Sequence, residues 1–92
     1  MGKYVIELTD LAKQHLKFHR KSGQRSVIKK IDKIFKELEF TPFKGEGKPE
    51  ALTGDLNGFW SRRLNHKDRL VYKVEENIVT IVVVSALGHY DD

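Results

Sequence analysis

The chain has 92 residues, 17 Lys and Arg against 13 Asp and Glu for a net charge of +4, and no cysteine. That length supports one small hydrophobic core, so a single domain over residues 1–92 is expected. Without cysteine there is no disulfide staple, no thiolate zinc site and no thiol nucleophile, and stability must come from packing.

The charge is uneven. Residues 1–40 carry +5 and residues 41–74 carry +3, whereas residues 75–92 carry −4. A basic body on a small protein either attracts a polyanion, with RNA or DNA the default, or keeps the protein soluble. The N-terminal apolar run is too short for a signal peptide and contains Glu7. No segment reaches the length of a membrane span, so a cytoplasmic protein without membrane contact is expected.

Tyr4–Leu8 alternates and reads as a strand. Thr9 can cap the helix that follows, where Leu11, Ala12, His15, Leu16, Phe18 and His19 share one arc. Ser22-Gly23 ends it. A second helix, about Ser26 to Phe40, has a cleaner stripe of Val27, Ile28, Ile31, Ile34, Phe35 and Leu38, with Lys29, Lys30, Lys33 and Lys36 on its back. From Thr41 to Gly58 the residues are those of a loop, with room for one helical turn. Strands follow at Phe59–Leu64, Arg69–Val74 and Ile78–Val84. The order β-α-α-β-β-β predicts an α+β fold, a helical hairpin packed on one face of a small antiparallel sheet. The other face is left for a ligand.

Strand parity bears on the arginines. Trp60, Arg62 and Leu64 point one way; Phe59, Ser61 and Arg63 point the other. Arg63 and Arg69 share a face if the intervening loop leaves an odd number of unpaired residues, and are separated if it is even. Trp60 reads as core. His15 and His19 have the i, i+4 spacing of metal ligands, but no carboxylate accompanies them, so they read as packing or interface residues. His66, in a turn, carries no signal of its own.

Glu50 follows Pro49, so it either stabilises the start of a helical turn or serves as a general base on a rigid Gly-Lys-Pro loop. Arg69 at a strand start makes an ordinary surface ion pair or holds a phosphate oxygen with its planar fork. His89 and Tyr90, past the last strand, are a tail anchor with a bystander histidine, or a proton donor with its neighbour.

The run GKPEALTGDLNGFWSRRLNHKDRLVY resembles the central signature of the YoeB/Txe branch of the RelE-like toxins, and His89-Tyr90 resembles their terminal His-Tyr. The likeness covers nearly the whole chain. It implies the toxin of a type II toxin–antitoxin system, an endoribonuclease that cleaves messenger RNA in the ribosomal A site and so inhibits translation. It implies Glu50 as general base, Arg69 as phosphate-stabilising arginine and His89 as general acid. Arg63, Tyr90 and Lys48 would bind substrate, with no metal and no cofactor. The implied partners are a YefM/Phd-like antitoxin, the ribosome and messenger RNA, in a homodimer or a heteromeric toxin–antitoxin complex.

Two departures stand out. Many relatives carry an arginine just before the final His-Tyr, where this chain has Leu87, and the chain continues with Asp91-Asp92. The chemistry open to such residues is attack of a ribose 2′-hydroxyl on the adjacent phosphorus, which only RNA allows. The alternatives are a non-catalytic ParE-like toxin that inhibits gyrase, and a basic RNA-binding module.

Overall fold

A computed structural model describes residues 3–86. Strand β1 (Val5–Leu8) leads into helix α1 (Asp10–Ser22) and helix α2 (Arg25–Leu38). After a loop come β2 (Glu50–Ala51), a 3₁₀ turn at Gly54–Leu56, β3 (Phe59–Arg63), β4 (Asp68–Glu75) and β5 (Ile78–Ala86). Two helices pack on a five-stranded sheet, an α+β fold as expected.

The helix boundaries follow local chemistry. The Thr9 hydroxyl oxygen accepts from the Ala12 amide at 3.1 Å, satisfying one free donor at the start of α1. Gly23 closes that helix at φ 73°, a left-handed conformation that costs glycine little. Val27, Ile31, Ile34 and Leu38 of α2 are buried, the spacing of the apolar stripe. On α1 the buried arc is narrower than expected. Ala12 and His19 are buried, but Leu11 and Phe18, at its margins, lie exposed.

The sheet departs from expectation in two respects. Its order is β1-β5-β4-β3-β2, and β1 runs parallel to β5, so the sheet is mixed rather than antiparallel. The meander β3-β4-β5 is antiparallel as its short turns require. The direction of β1 is set by the helices that leave its end and fold back over one face, and beside β5 that direction is parallel. The second difference is β2, an added two-residue edge strand where a loop was expected.

One irregularity decides which residues face the helices. Val71 pairs with Val83 but Tyr72 pairs with Ile81, so Val82 is an extra residue in β5. Such a bulge reverses the facing of everything beyond it. Ile81 and Val84 therefore both enter the core beneath the helices, with Leu70 and Tyr72. Val83 joins Val71 on the opposite face, where both are buried.

Candidate functional site

The Arg62-Arg63 pair divides its work across the sheet. Arg62 shares parity with Trp60 and points into the core side, where it is fully buried. A buried guanidinium needs a partner for each of its five N–H groups. Nε donates to the Tyr72 hydroxyl at 3.2 Å. Nη1 donates to Glu37 Oε1 at 2.6 Å and to the Glu46 carbonyl at 3.3 Å. Nη2 donates to the carbonyls of Thr41 and Lys44 at 2.9 and 3.0 Å. The Tyr72 hydroxyl in turn donates to the Pro42 carbonyl, and burial pushes its pKa up, an effect the Arg62 hydrogen bond partly offsets. This network clamps residues 41–46, the approach to the Gly-Lys-Pro-Glu segment.

Gly47 completes the attachment. Its carbonyl accepts from the Arg63 amide at 2.7 Å. A Cβ there would stand 2.8 Å from the Arg63 carbonyl oxygen, and φ is +84°. Only glycine allows this close approach of loop to strand. Lys48 follows at φ 50°, a left-handed conformation uncommon for a residue with a side chain. The chain then straightens into β2, so Glu50 sits on an edge strand rather than at the start of a helical turn.

Register places the site residues on the face opposite the helices. Glu50 pairs with Ser61, Ser61 with Val71, and Val71 with Val83. One row along, Arg63 pairs directly with Arg69. Leu64–Asp68 intervene, an odd number, so the two arginines share this face. Glu50 is thus the diagonal neighbour of Arg63, a relation that spans roughly 7–8 Å between strands. Arg69 is held by its own turn: Nη1 donates to the carbonyls of Asn65 and Asp68, both at 3.1 Å. Asn65 fixes that turn, its side-chain oxygen accepting from the amides of Lys67 and Asp68 at 2.9 and 2.7 Å. Two like charges directly opposed across a ladder are destabilising unless an anion joins them.

A groove of about 340 Å³ opens at the β3–β4 turn, lined by Lys30, Arg63, Asn65, His66 and Arg69. Lys30 was expected on the lysine-bearing back of α2, and His66 carried no signal in the sequence. The clue for Lys30 was its position, three residues after Val27 and four before Ile34, at the border of the apolar stripe. His66 offered none, because only the turn's geometry turns it toward the arginines. His89, Tyr90 and Leu87 lie outside the described residues, as do Asp91 and Asp92.

Trp60 and the α1 histidines fall to structure. Trp60 packs against the core, its ring centroid 5.0 Å from that of Phe43. His15 Nδ1 accepts from the Val84 amide at 3.0 Å, and His19 Nε2 lies 2.7 Å from the Val84 carbonyl. Their i, i+4 spacing covers the open edge of β5 beyond the end of β1. Burial lowers the His15 pKa, His19 lowers it further, and Asp68 opposes them.

Comparison with known proteins decides the family. Residues 9–90 match the family described as YoeB-like toxin of bacterial type II toxin-antitoxin system. The chain belongs to that family. It is similar to the toxin YoeB of Streptomyces coelicolor, 44% identical over 72 residues that cover 78% of this chain and 83% of the relative. It is similar in fold to the YoeB dimer from Staphylococcus aureus, with a TM-score of 0.77 and 32% identity over 90% of this chain and 95% of the other. The heterotetrameric YoeB-YefM toxin-antitoxin complex from Staphylococcus aureus contains a chain with the same TM-score and identity, covering 89% and 94%. In this YoeB-like toxin, the segment that carries Glu50, Arg63 and Arg69 lies within the matched residues, and so do His89 and Tyr90.

Proposed function

We propose that this YoeB-like toxin is an endoribonuclease that cleaves messenger RNA in the ribosomal A site. The observation that carries the reading is the direct pairing of Arg63 with Arg69 on the sheet face, with Glu50 on the same face, diagonal to Arg63. Glu50 takes the proton from a ribose 2′-hydroxyl, and that oxygen attacks the adjacent phosphorus. Arg63 and Arg69 stabilise the charge gathering on the phosphoryl oxygens. His89, from the terminal His-Tyr, protonates the departing 5′-oxygen as the P–O5′ bond breaks. The products are a 2′,3′-cyclic phosphate and a 5′-hydroxyl, with every proton handled by a side chain. Lys48 and Tyr90 bind and orient the substrate. One base or one acid is worth about 10²–10⁴ in rate, so positioning of the messenger by the ribosome supplies much of the remainder.

The partner is an acidic antitoxin of the YefM kind, an assignment supported by the Staphylococcus aureus complex, and the site of action is the cytoplasm. Primer extension on messenger translated in vitro tests the reading. Discrete cleavage with wild-type protein, lost in Glu50→Gln, Arg69→Ala and His89→Gln, is the expected result. Intact messenger with wild-type protein, or gyrase inhibition in its place, would overturn it.

A further inference from the structure

We infer that Lys30 and His66 form a second phosphate subsite beside the one that holds the scissile phosphate, so that the bound RNA strand runs across the β3–β4 turn toward α2. The inference rests on the proposed RNA cleavage and adds the path of the substrate. The groove contains Arg63 and Arg69 but not Glu50, and therefore extends away from the base toward the turn. Its lining draws cations from three elements: Lys30 from α2, Arg63 from β3 and Arg69 from β4. Among the described residues no carboxylate lines it.

The carboxylate that pairs with Lys30 is shared with Lys33. Glu46 accepts from Lys33 at 3.2 Å and lies 3.8 Å from Lys30. Its pKa is lowered first by the Lys33 hydrogen bond, with Lys30 a smaller contributor. Lys30 pairs with the other oxygen of that carboxylate, Oε2, at a distance beyond hydrogen-bond length, so its ammonium keeps donors for a further anion. His66 stands on a turn made rigid by Asn65, and offers a ring N–H or a flat face on the same side. A single phosphate satisfies the two arginines. The additional lysine and histidine one step further on suit the next phosphate of the same strand, because a nucleic acid presents its charges in a regular series.

The test is equilibrium binding of a short, fully 2′-O-methylated oligoribonucleotide, which lacks the attacking hydroxyl, followed by fluorescence anisotropy over a sodium chloride series. Losing one contact to a single-stranded phosphate makes the plot of log K against log salt shallower by about 0.7. Lys30→Ala should show that change, and Lys30→Met should repeat it with the aliphatic stem kept. His66→Ala should weaken binding about two- to tenfold, the effect of one lost hydrogen bond. Lys17→Ala, on α1 away from the groove, should keep the wild-type slope. Unaltered slopes and affinities in the Lys30 and His66 variants would overturn the subsite, and so would an equal change in Lys17→Ala. Expected slopes in a protein that does not cut messenger would overturn the proposed function and leave the subsite standing. Normal cutting with unaltered slopes would do the reverse.

Discussion

Arg62 and Arg63 are adjacent in the chain and opposite in role, and the contrast gives the sharpest residue-scale test. Arg62 satisfies all its donors inside the protein, so truncating it leaves the Glu37 carboxylate without its counter-ion and the Lys44 and Glu46 carbonyls without the donors it supplies. Removing one member of a buried ion pair typically costs about 3–5 kcal/mol. Arg62→Ala should therefore lose stability on that scale in urea denaturation. Arg63 is exposed, and surface substitutions usually stay within about 0.5 kcal/mol. Arg63→Ala should keep its unfolding midpoint and lose cleavage. Two variants with equal stability would contradict this division. The parity of Trp60, Arg62 and Leu64 was legible in the chain. What was not legible was that a charged residue on the core side would be fully satisfied, because its partners are mostly backbone carbonyls of a loop that no periodicity describes.

At the scale of elements, the loop before β2 and the free edge of β5 are the vulnerable points. Gly47→Ala places a methyl group against the Arg63 carbonyl at a positive φ, so β2 must shift and take Glu50 with it. Cleavage should fall more than tenfold while the circular dichroism spectrum keeps its helical content; wild-type activity in this variant would show that Glu50 needs no such anchoring. On the β5 edge, the His15 pKa is lowered from 6.5 chiefly by burial. The folded state then binds fewer protons than the unfolded chain, and unfolding free energy rises with pH. The His15 contribution is fully present above about pH 6.5 and is lost as pH falls through the lowered folded value. Protonation also removes the acceptor that holds the Val84 amide. His15→Gln keeps an acceptor and abolishes the titration, so its stability should decline less between pH 7 and pH 5 than that of the wild type. Parallel curves would show that His15 does not carry this dependence. Helix spacing disclosed that His15 and His19 share a face, but their task depends on β1 ending short of β5.

For the molecule as a whole, charge distribution sets the partners. The basic groove and lysine-bearing helix back should attract an acidic, partly disordered antitoxin segment that folds on binding. Stoichiometric YefM-type antitoxin should stop cleavage and protect the Glu50 segment or residues 85–92 from hydrogen exchange. A complex that still cleaves at full rate without protection in either segment would contradict this. Replacing Asp91 and Asp92 by Asn removes two negative charges and should tighten binding of the uncleavable oligoribonucleotide, most at low salt. Leu87→Arg adds the charge found in many relatives and should hold or raise activity.

The two helices, the three long strands and their order along the chain were all legible in the residues, because each element carries its own period and its own stop signals. The residues also pointed to the family through a motif contiguous enough to read directly. Tertiary structure alone decided that β1 joins the sheet in parallel, that Glu50 lies on a short edge strand, and that the bulge at Val82 reverses the facing of the end of β5. It also decided that Arg63 and Arg69 meet on one face and that Lys30 and His66 line the groove beside them. These are facts of register and of approach between distant segments. Local pattern specifies how a segment is built, whereas register depends on which neighbour it meets and where each strand stops.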